Sequence, residues 1–441
     1  MQIDGKEYAG RRDRLAAAIG DEAVALVVAP PERLRNRDVH YPYRADSDLR
    51  YLTGFTEPDA VAVLAPGRED GAFLLFCRAR DPQREAWEGL RVGPEGACRH
   101  FGADQAFPIQ ELGEKLPELL AGRRAVYHSL GVEPAADNFL IRALNHLRAR
   151  ARRGGNPPQQ VVLLGSVLHE LRLRKSAAEL GAMRHAADVS AGAHVRAMRC
   201  CHPGMTEYAL AAELHHEFEA AGMGWAYPSI VGGGANACVL HYIENADTLA
   251  HGELVLVDAG AEYAGYAADI TRSFPVNGRF SGPQRALYEV VLAAQHEAVD
   301  AVRAGNDYEA FHRAAVGVIS RGLLDLGLLS GDVDEVIEQE TYKPFFMHGT
   351  GHWLGMDVHD VGAYRVDGEP RTLEPDMVVT VEPGIYIPPG CEEAEERFRG
   401  IGIRIEDDVR VTDDAPDVLT AAAPKEIAAI EALMAQARDG D

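Results

Sequence analysis

Short apolar runs and helix-periodic stretches alternate along the first third of the chain. The run AVALVVA at 23–29 is apolar throughout, which is typical of a strand that is covered on both faces. Three similar runs follow at 61–65, 72–77 and 125–128. Residues 8–19 and about 109–121 instead have helical periodicity. Alternation of strands and helices on this scale predicts a small α/β domain.

The rest of the chain repeats one order of elements, two helices followed by strands. Ser176 and Glu179 have the spacing of a capping box, which predicts a helix from there to about Arg199. The other predicted helices cover 206–221, 283–303 and 308–326, and the predicted strands cover 254–258, 266–275, 377–382 and 401–411. The repeated order predicts two similar halves that each contribute a β-layer to one core.

The length of 441 residues exceeds what one hydrophobic core usually serves, so two domains are expected. The segment 151–160 (ARRGGNPPQQ) is rich in glycine, proline and charge and has the composition of a linker. We predict an N-terminal domain of residues 1–172 and a C-terminal domain of residues 173–441.

The balance of charge excludes some classes of function. The formal charge is −24, from 44 basic and 68 acidic residues. Nucleic-acid binding requires clustered Lys and Arg to neutralise phosphates, so we expect no nucleic-acid partner. No stretch approaches about 18 uninterrupted apolar residues, and the first residues are charged and lack an apolar signal core. We therefore expect no membrane span and a cytoplasmic location.

Four carboxylates interrupt apolar strand patterns in the C-terminal domain. Asp258 ends LVLVD, Asp269 lies within YAADITRSF, Glu382 follows MVVTV, and Glu406 lies within GIGIRIEDDV. Ionised carboxylates are almost never buried unpaired, because their desolvation costs several kcal/mol each. Nearby positive charge is scarce, with Arg272 and Arg404 as the obvious candidates. Oxygen-rich clusters of this kind bind divalent cations.

Histidines accompany these carboxylates. The segment MHGTGHWLGMDVHD contains His348, His352 and His359 among glycines, which argue against a plain helix. His241 stands at the end of a further apolar run, CVLHYIEN. Imidazole nitrogens complete many mixed oxygen and nitrogen metal sites, so the histidines add to the prediction of a metal centre.

The joint pattern resembles a known superfamily. The segments VDAGAEYAGYAADITRSFPVNG, HGTGHWLGMDVHD, TVEPGIY and GIGIRIEDDV are similar to the metal-site motifs of the methionine aminopeptidase, prolidase and creatinase superfamily. The early segment RNRDVHYPYRADSDLRYLTGF resembles more narrowly the Xaa-Pro aminopeptidase (aminopeptidase P) family. The resemblance implies an α/β (α+β) fold, with a small N-terminal domain of creatinase/prolidase type. The implied C-terminal domain is a pita-bread catalytic domain of two pseudo-symmetric halves.

The resemblance also implies a ligand set and a reaction. It places Asp258 on one of two divalent metal ions, Asp269 and Glu406 as bridges between them, and His352 and Glu382 on the other ion. Manganese is the metal that the family usually uses, and the ligands also suit cobalt, iron or zinc. A hydroxide that bridges the metals would attack the Xaa-Pro bond of peptides with proline at position 2 and release their N-terminal residue.

Further roles follow from the same resemblance. His241 and His359 are expected to stabilise the tetrahedral intermediate. Glu382 is expected to orient the nucleophile and carry its proton. His348 forms a wall of the pocket for the second-position proline, and Arg404 is expected to pair with a ligand carboxylate.

Three more residues complete the substrate site that the resemblance implies. Tyr386 is expected to join Arg404. Trp87 and Asp38, both in the N-terminal domain, match family positions that approach an active site, Trp87 from a neighbouring subunit. The implied assembly is a homodimer or homotetramer.

Two alternatives stay open from the sequence. A prolidase, which cleaves Xaa-Pro dipeptides, shares all five metal ligands, so the ligands alone do not separate the two activities. A protein-interaction module with this fold would need no metal, but the intact ligand set disfavours that class.

Overall fold

The computed structural model describes residues 3–438, and the chain divides into two compact units between Arg172 and Leu173. The segment 151–160 lies within the N-terminal unit, where it connects the sixth helix to the eighth strand. Its interpretation as a linker between domains is therefore wrong. Its glycines and prolines serve a turn at the end of a helix instead, since Gly154 has a φ of 90°.

The N-terminal unit is built on a six-stranded mixed sheet with the order β6-β5-β4-β1-β7-β8. The strands of this sheet are β1 (Ala23–Ala29), β4 (Ala60–Leu64), β5 (Phe73–Cys77), β6 (Gln105–Pro108), β7 (Ala125–His128) and β8 (Gln160–Leu163). Two further strands, β2 (Leu34–Asn36) and β3 (Val39–His40), form a separate exposed hairpin. β1 runs antiparallel to β4 and parallel to β7. The predicted strands at 23–29 and 125–128 are confirmed.

Within the described residues, seven helices accompany this sheet. They are α1 (Gly5–Ile19), α2 (Ser47–Thr53), α3 (Pro82–Glu88), α4 (Gly93–Phe101), α5 (Leu112–Leu120), α6 (Pro134–Ala149) and α7 (Gly165–Leu173). Leu116 on α5 and Leu140 on α6 pack with Val24, Val63 and Phe76 of the sheet in one apolar cluster. Burial of the sheet against helices explains why β1 is apolar at every position.

The C-terminal unit contains six helices and thirteen strands among the described residues. The helices are α8 (Ala177–Cys200), α9 (Glu207–Ala220), α10 (Gly282–Ala301), α11 (Ala310–Asp325), α12 (Val333–Glu338) and α13 (Ile427–Arg438). The strands are β9 (Gly224–Trp225), β10 (Ile230–Gly233), β11 (Leu254–Asp258), β12 (Ala261–Tyr263), β13 (Tyr266–Ala267), β14 (Thr271–Pro275), β15 (Arg365–Val366), β16 (Glu369–Pro370), β17 (Val378–Val381), β18 (Gly384–Ile387), β19 (Ile401–Arg404), β20 (Asp407–Arg410) and β21 (Asp417–Val418).

The predicted capping box at the start of α8 is confirmed. The Glu179 backbone N–H donates to the Ser176 hydroxyl, and the Ser176 N–H donates to the Glu179 carboxylate. None of the helices within residues 3–438 is both long and apolar enough to cross a bilayer.

The two halves of the C-terminal unit use the same strand arrangement. In the first half β11 pairs with β14 and β12 pairs with β13; in the second half β17 pairs with β20 and β18 pairs with β19, all antiparallel. Each half thus consists of an outer strand pair, with an inner hairpin between its two strands along the chain. This repeated arrangement agrees with the two halves expected from the order of elements.

Two of the predicted strands are interrupted. The predicted strand at 266–275 divides into β13 and β14, and the predicted strand at 401–411 divides into β19 and β20. The interruptions fall at Asp269 and Glu406, where the chain passes from one strand pair to the other. A hydrophobic pattern does not show such a change of partner, because both strand pieces keep their apolar positions.

Candidate metal centre

The junctions between strand pairs bring the four predicted carboxylates together. Asp258 ends β11 and Asp269 precedes β14, while Glu382 follows β17 and Glu406 precedes β20. The Glu406 backbone N–H donates to the carbonyl oxygen of Thr271 over 3.0 Å, which joins the second half to the first. The pseudo-symmetric arrangement therefore gathers two carboxylates from each half at one place.

A cavity of about 270 Å³ lies at this place. The residues that line it are Leu240, His241, Asp258, Asp269, His348, Gly349, Gly351, His352, His359, Glu382, Arg404 and Glu406. The structure thus brings together every predicted site residue of the C-terminal unit except Tyr386, which is buried behind the cavity wall.

His352 has the geometry of a metal ligand. Its Nδ1 lies 3.0 Å from the carbonyl oxygen of Trp353, so Nδ1 carries a proton and Nε2 is the nitrogen that could bind a metal. Nε2 lies 3.5 Å from Asp269 Oδ2 and 3.7 Å from Glu382 Oε1. Donor atoms of Asp269, His352 and Glu406 all lie within 4.8 Å of one another, a spacing that could hold a metal ion.

Burial and the charges of neighbouring carboxylates shift the pKa values of the acidic residues in this cavity. Burial raises the pKa of Glu406 far above its ordinary value, and the charge of Asp269 adds to the rise. Burial also raises the pKa of Glu382, to about 7. It raises the pKa of Asp258 as well, although the positive charge of Arg404 opposes the rise. Three of the four carboxylates are therefore held in a site that disfavours their charged form.

Asp269 and His352 behave as a pair. Burial alone would raise the pKa of Asp269, but its contact with His352 outweighs burial and lowers it. Burial would lower the pKa of His352, but Asp269 raises it to about 9. The metal-free protein therefore places a proton on His352 where a divalent cation would supply positive charge. Residues of this chemistry fit a divalent metal site.

Arg404 connects the cavity to a chain of hydrogen bonds. Its Nη2 donates to Asp258 Oδ2 over 2.5 Å, and its Nη1 donates to the Tyr386 hydroxyl over 3.1 Å. The Tyr386 hydroxyl in turn lies 2.8 Å from His348 Nε2. His348 Nδ1 faces the Gly349 carbonyl oxygen at 2.7 Å, and burial lowers the pKa of His348 to about 4. His348 is therefore neutral, and Tyr386 donates its proton to Nε2.

The remaining predicted residues lie at the mouth of the cavity or in the other unit. His241 and His359 are exposed lining residues, and the ring of His359 lies 4.1 Å from that of His352 between centroids. Trp87 on α3 is 92% exposed, and Asp38 lies in the exposed turn of the β2–β3 hairpin. Both belong to the N-terminal unit.

Two residues at the site were missed from the sequence. The Tyr227 hydroxyl lies 2.6 Å from Asp258 Oδ1 and 2.5 Å from Asp269 Oδ1. The Thr271 hydroxyl donates to Glu406 Oε2 over 2.6 Å. Thr271 lies two residues after Asp269 in DITRSF, so its position was a usable signal. Tyr227 lies in a loop 31 residues before Asp258, and no local pattern indicates its contact.

Arg272 does not neutralise the site. Its guanidinium is fully buried on the opposite face of β14 and donates to Asp407 Oδ1 over 2.7 Å. Neighbouring residues of a strand face opposite sides, so Thr271 faces the site and Arg272 faces away. Of the two arginines considered as partners for the carboxylates, only Arg404 has that role.

Comparisons with known proteins agree with this site and fold. Residues 181–413 match metallopeptidase family M24, and residues 8–127 match the N-terminal domain of aminopeptidase P. The chain is 45% identical to the Xaa-Pro aminopeptidase of Escherichia coli (strain K12), over 99% of both chains.

Solved structures give the same result. The structure of Pseudomonas aeruginosa aminopeptidase PepP matches with a TM-score of 0.98 and 53% identity, over 99% of both chains. Zinc-substituted E. coli aminopeptidase P in complex with product matches with a TM-score of 0.97 and 45% identity, over 99% of this chain and 100% of that chain.

Proposed function

The chain belongs to metallopeptidase family M24 and is an Xaa-Pro aminopeptidase, and from this premise we propose that it works with two divalent metal ions. The proposed ligands are Asp258, Asp269, His352, Glu382 and Glu406. The enzyme releases the N-terminal residue from peptides that have proline at position 2. The similarity over full length to an Xaa-Pro aminopeptidase favours this activity over that of a prolidase.

The excess of negative charge in the cavity is the main support for this proposal. Four carboxylates line one small cavity, and among its described lining residues Arg404 is the one side chain with a permanent positive charge. Arg404 is already committed to Asp258. Buried carboxylates without counter-charge are strongly destabilising, so the arrangement favours bound divalent cations. It also disfavours a non-catalytic interaction module, which would have no need of such a cluster.

When bound, a pair of divalent cations supplies a nucleophile from water at neutral pH and offsets negative charge that develops on the scissile carbonyl oxygen. Glu382 takes the proton of the attacking water and returns it to the proline nitrogen as that nitrogen leaves. Burial raises the pKa of Glu382 to about 7 in the metal-free site, which supports a role in proton transfer.

Histidines at the mouth complete the proposed site. His241 and His359 lie beside the cavity with their side chains exposed, where they can donate to the oxyanion of the tetrahedral intermediate. His348, held neutral and fixed by Tyr386, forms a wall against which the proline ring packs. Arg404 donates hydrogen bonds to both Tyr386 and Asp258. It therefore orients a proposed metal ligand and, through Tyr386, the wall of the proline pocket.

The metal, the location and the assembly are further parts of the proposal. The proposed ligand set of four carboxylates and one imidazole nitrogen suits manganese, and it also suits cobalt, iron and zinc. All six cysteines lie in the described part of the chain and are unbridged, which supports a reducing compartment such as the cytoplasm. Exposed Trp87 and the hairpin with Asp38 support contact with a neighbouring subunit in a homodimer or homotetramer.

The test is an assay of metal-free and manganese-restored protein on matched substrates. We expect the chelated protein to be inactive and the restored protein to release the first residue from Xaa-Pro-Yaa tripeptides. Xaa-Ala-Yaa tripeptides serve as the control for proline specificity. Equal activity before and after chelation would refute the metal mechanism. Cleavage of Xaa-Pro dipeptides without cleavage of tripeptides would favour a prolidase.

A further inference from the structure

Thr271 occupies a position between two elements of the site without lining the cavity. It is the first residue of β14, its side chain is fully buried, and it opposes Asp258 in the β11–β14 pair. Its hydroxyl oxygen lies 3.0 Å from Arg404 Nε and 2.6 Å from Glu406 Oε2. Thr271 therefore contacts both a guanidinium and a carboxylate of the site.

The direction of both hydrogen bonds is fixed by chemistry. The Arg404 Nε–H can only donate, so the Thr271 oxygen accepts from it. A carboxylate must be ionised to hold a metal and can then only accept, so the Thr271 hydroxyl proton points to Glu406. The hydroxyl therefore links the Arg404 guanidinium to the Glu406 carboxylate through two hydrogen bonds.

Arg404 is consequently connected to two carboxylates of the site. It donates directly to Asp258 through Nη2 and reaches Glu406 through the Thr271 hydroxyl. Thr271 also accepts the backbone N–H of Glu406 at its carbonyl oxygen, over 3.0 Å. Both the main chain and the side chain of Glu406 are thus fixed by one residue of the other half.

We propose that Thr271 is a positioning residue that sets the orientation of the Glu406 carboxylate for metal binding, an inference that rests on the proposed function. A glutamate carboxylate rotates broadly about its last torsion. The bond to Oε2 uses one of its lone pairs and holds the plane of the group, so that Glu406 faces the donor atoms of Asp269 and His352 within 4.8 Å. Partners of this kind commonly contribute about 10- to 100-fold to metal affinity.

Ser273 offers a matched control on the same strand. It lies two residues after Thr271, on the same face of β14, and it is also fully buried. Its hydroxyl donates to the Arg404 carbonyl oxygen over 3.2 Å and accepts the Arg404 N–H over 3.1 Å. Loss of this hydroxyl therefore removes comparable buried hydrogen bonds without removing a contact to a proposed ligand.

The experiment is an equilibrium titration of metal-free protein with Mn²⁺, on wild type, Thr271→Val, Thr271→Ser and Ser273→Ala. Thr271→Val should weaken the affinity for at least one ion by about tenfold or more. Thr271→Ser should restore wild-type affinity within about threefold, since it keeps the hydroxyl. Ser273→Ala should bind as wild type does, although its melting temperature falls as much as that of Thr271→Val. Thr271→Ala takes the place of the valine variant if the latter does not fold.

Wild-type affinity in both Thr271→Val and Thr271→Ala would overturn the inference about Thr271. It would leave the proposed function intact, because the titration of the wild-type protein would still support the metal site. An equal loss of affinity in Ser273→Ala, or a failure of Thr271→Ser to restore it, would also overturn the inference about Thr271 by assigning the effect to general packing. A wild-type protein that binds no Mn²⁺ would instead refute the proposed function, and this inference with it.

Discussion

Adjacent residues Glu406 and Asp407 place two fully buried carboxylates in opposite surroundings. Asp407 faces a set of donors that satisfies it completely: Arg272 and Lys425 as cations, with the Thr420 hydroxyl and the Gln295 amide. Although burial alone would raise the pKa of Asp407, the two cations bring it below its ordinary value. This cluster is complete without any ligand.

Glu406 faces the cavity, where the other charged groups are mostly acidic. Its neighbours include Asp269 and Glu382, and its pKa is far above the ordinary value. Both carboxylates are buried, and they are adjacent along the chain. A buried acidic cluster is therefore structural where the protein supplies its counter-charge, and functional where it does not.

The largest effect is expected from removing a proposed bridge between the metals. Asp269→Ala takes away a ligand and leaves the other carboxylates without a shared cation. We expect a loss of turnover on the order of 10⁴-fold, or about 5.5 kcal/mol of transition-state stabilisation. The measurement is turnover of an Xaa-Pro-Yaa peptide at limiting Mn²⁺, and normal turnover there would contradict the ligand assignment.

The two clusters should respond differently when the carboxyl group of each is replaced by an amide in metal-free protein. Asp407→Asn leaves Arg272 buried without its partner and should lower the free energy of unfolding by about 3–5 kcal/mol. Glu406→Gln replaces a carboxyl group that the metal-free site holds in its protonated form, so it should leave that free energy unchanged or raise it. Denaturant unfolding in chelator measures both, and a similar loss in the two variants would remove the distinction between the clusters.

His359→Ala should separate turnover from metal content. His359 lines the cavity mouth but is not among the proposed ligands. Loss of an oxyanion donor commonly lowers turnover about 10²- to 10³-fold. We expect a decrease of that size while metal analysis of the purified variant still finds the wild-type content. Loss of metal in proportion to activity would mean that His359 is a ligand.

The pH dependence of stability should differ between metal-free and loaded protein. In the metal-free site the pKa values of His352 and Glu382 are raised to about 9 and about 7, so the folded state binds more protons than the unfolded state. Stability should then rise as pH falls from about 9 to 6.5, by roughly 1 kcal/mol per pH unit. Equal slopes for metal-free and Mn²⁺-loaded protein would contradict this.

Below pH 6.5 another group opposes this trend. Burial lowers the pKa of His194 to about 4, and its Nε2 is held 3.0 Å from the Ala259 carbonyl oxygen. The unfolded chain takes up a proton there that the folded protein excludes, so the contribution of His194 to stability is lost as pH falls from 6.5 towards 4, against the gain that Glu382 still makes. The window above 6.5 is therefore the one that reports on the metal site.

The smallest effect is expected from Tyr227→Phe. The phenol donates to a carboxylate oxygen of Asp258 or Asp269, and its loss removes one hydrogen bond from the ligand set. We expect Mn²⁺ affinity to fall by about tenfold with the fold intact, as measured by metal titration and melting temperature. An unchanged affinity would mean that the phenol only fills space beside the ligands.

The sequence predicted the fold class well, because the predicted features are local or shared with a family. The capping box at Ser176 and the apolar run at 23–29 need no information from distant residues, and both are confirmed. The α/β fold with an aminopeptidase P-type N-terminal domain and a pita-bread C-terminal domain is also confirmed.

The missed features depend on contacts between distant segments. Arg272 and Arg404 looked equivalent as partners for the carboxylates, but strand alternation directs Arg272 to the Asp407 cluster. The strand breaks at Asp269 and Glu406 arise because each segment changes pairing partner there. A hydrophobic pattern shows neither which cluster a charged side chain contacts nor where a strand changes its pairing partner.

The most direct test of the central claim is calorimetric titration of metal-free wild-type protein with Mn²⁺ at pH 7, in two buffers that differ in ionisation enthalpy. Such a pair of titrations counts bound ions and released protons together. We predict saturation at two ions per chain with net release of protons, because cations replace protons held by His352 and Glu406. Absence of saturable binding, or binding with no proton release, would contradict the claim that these buried carboxylates exist to hold divalent cations.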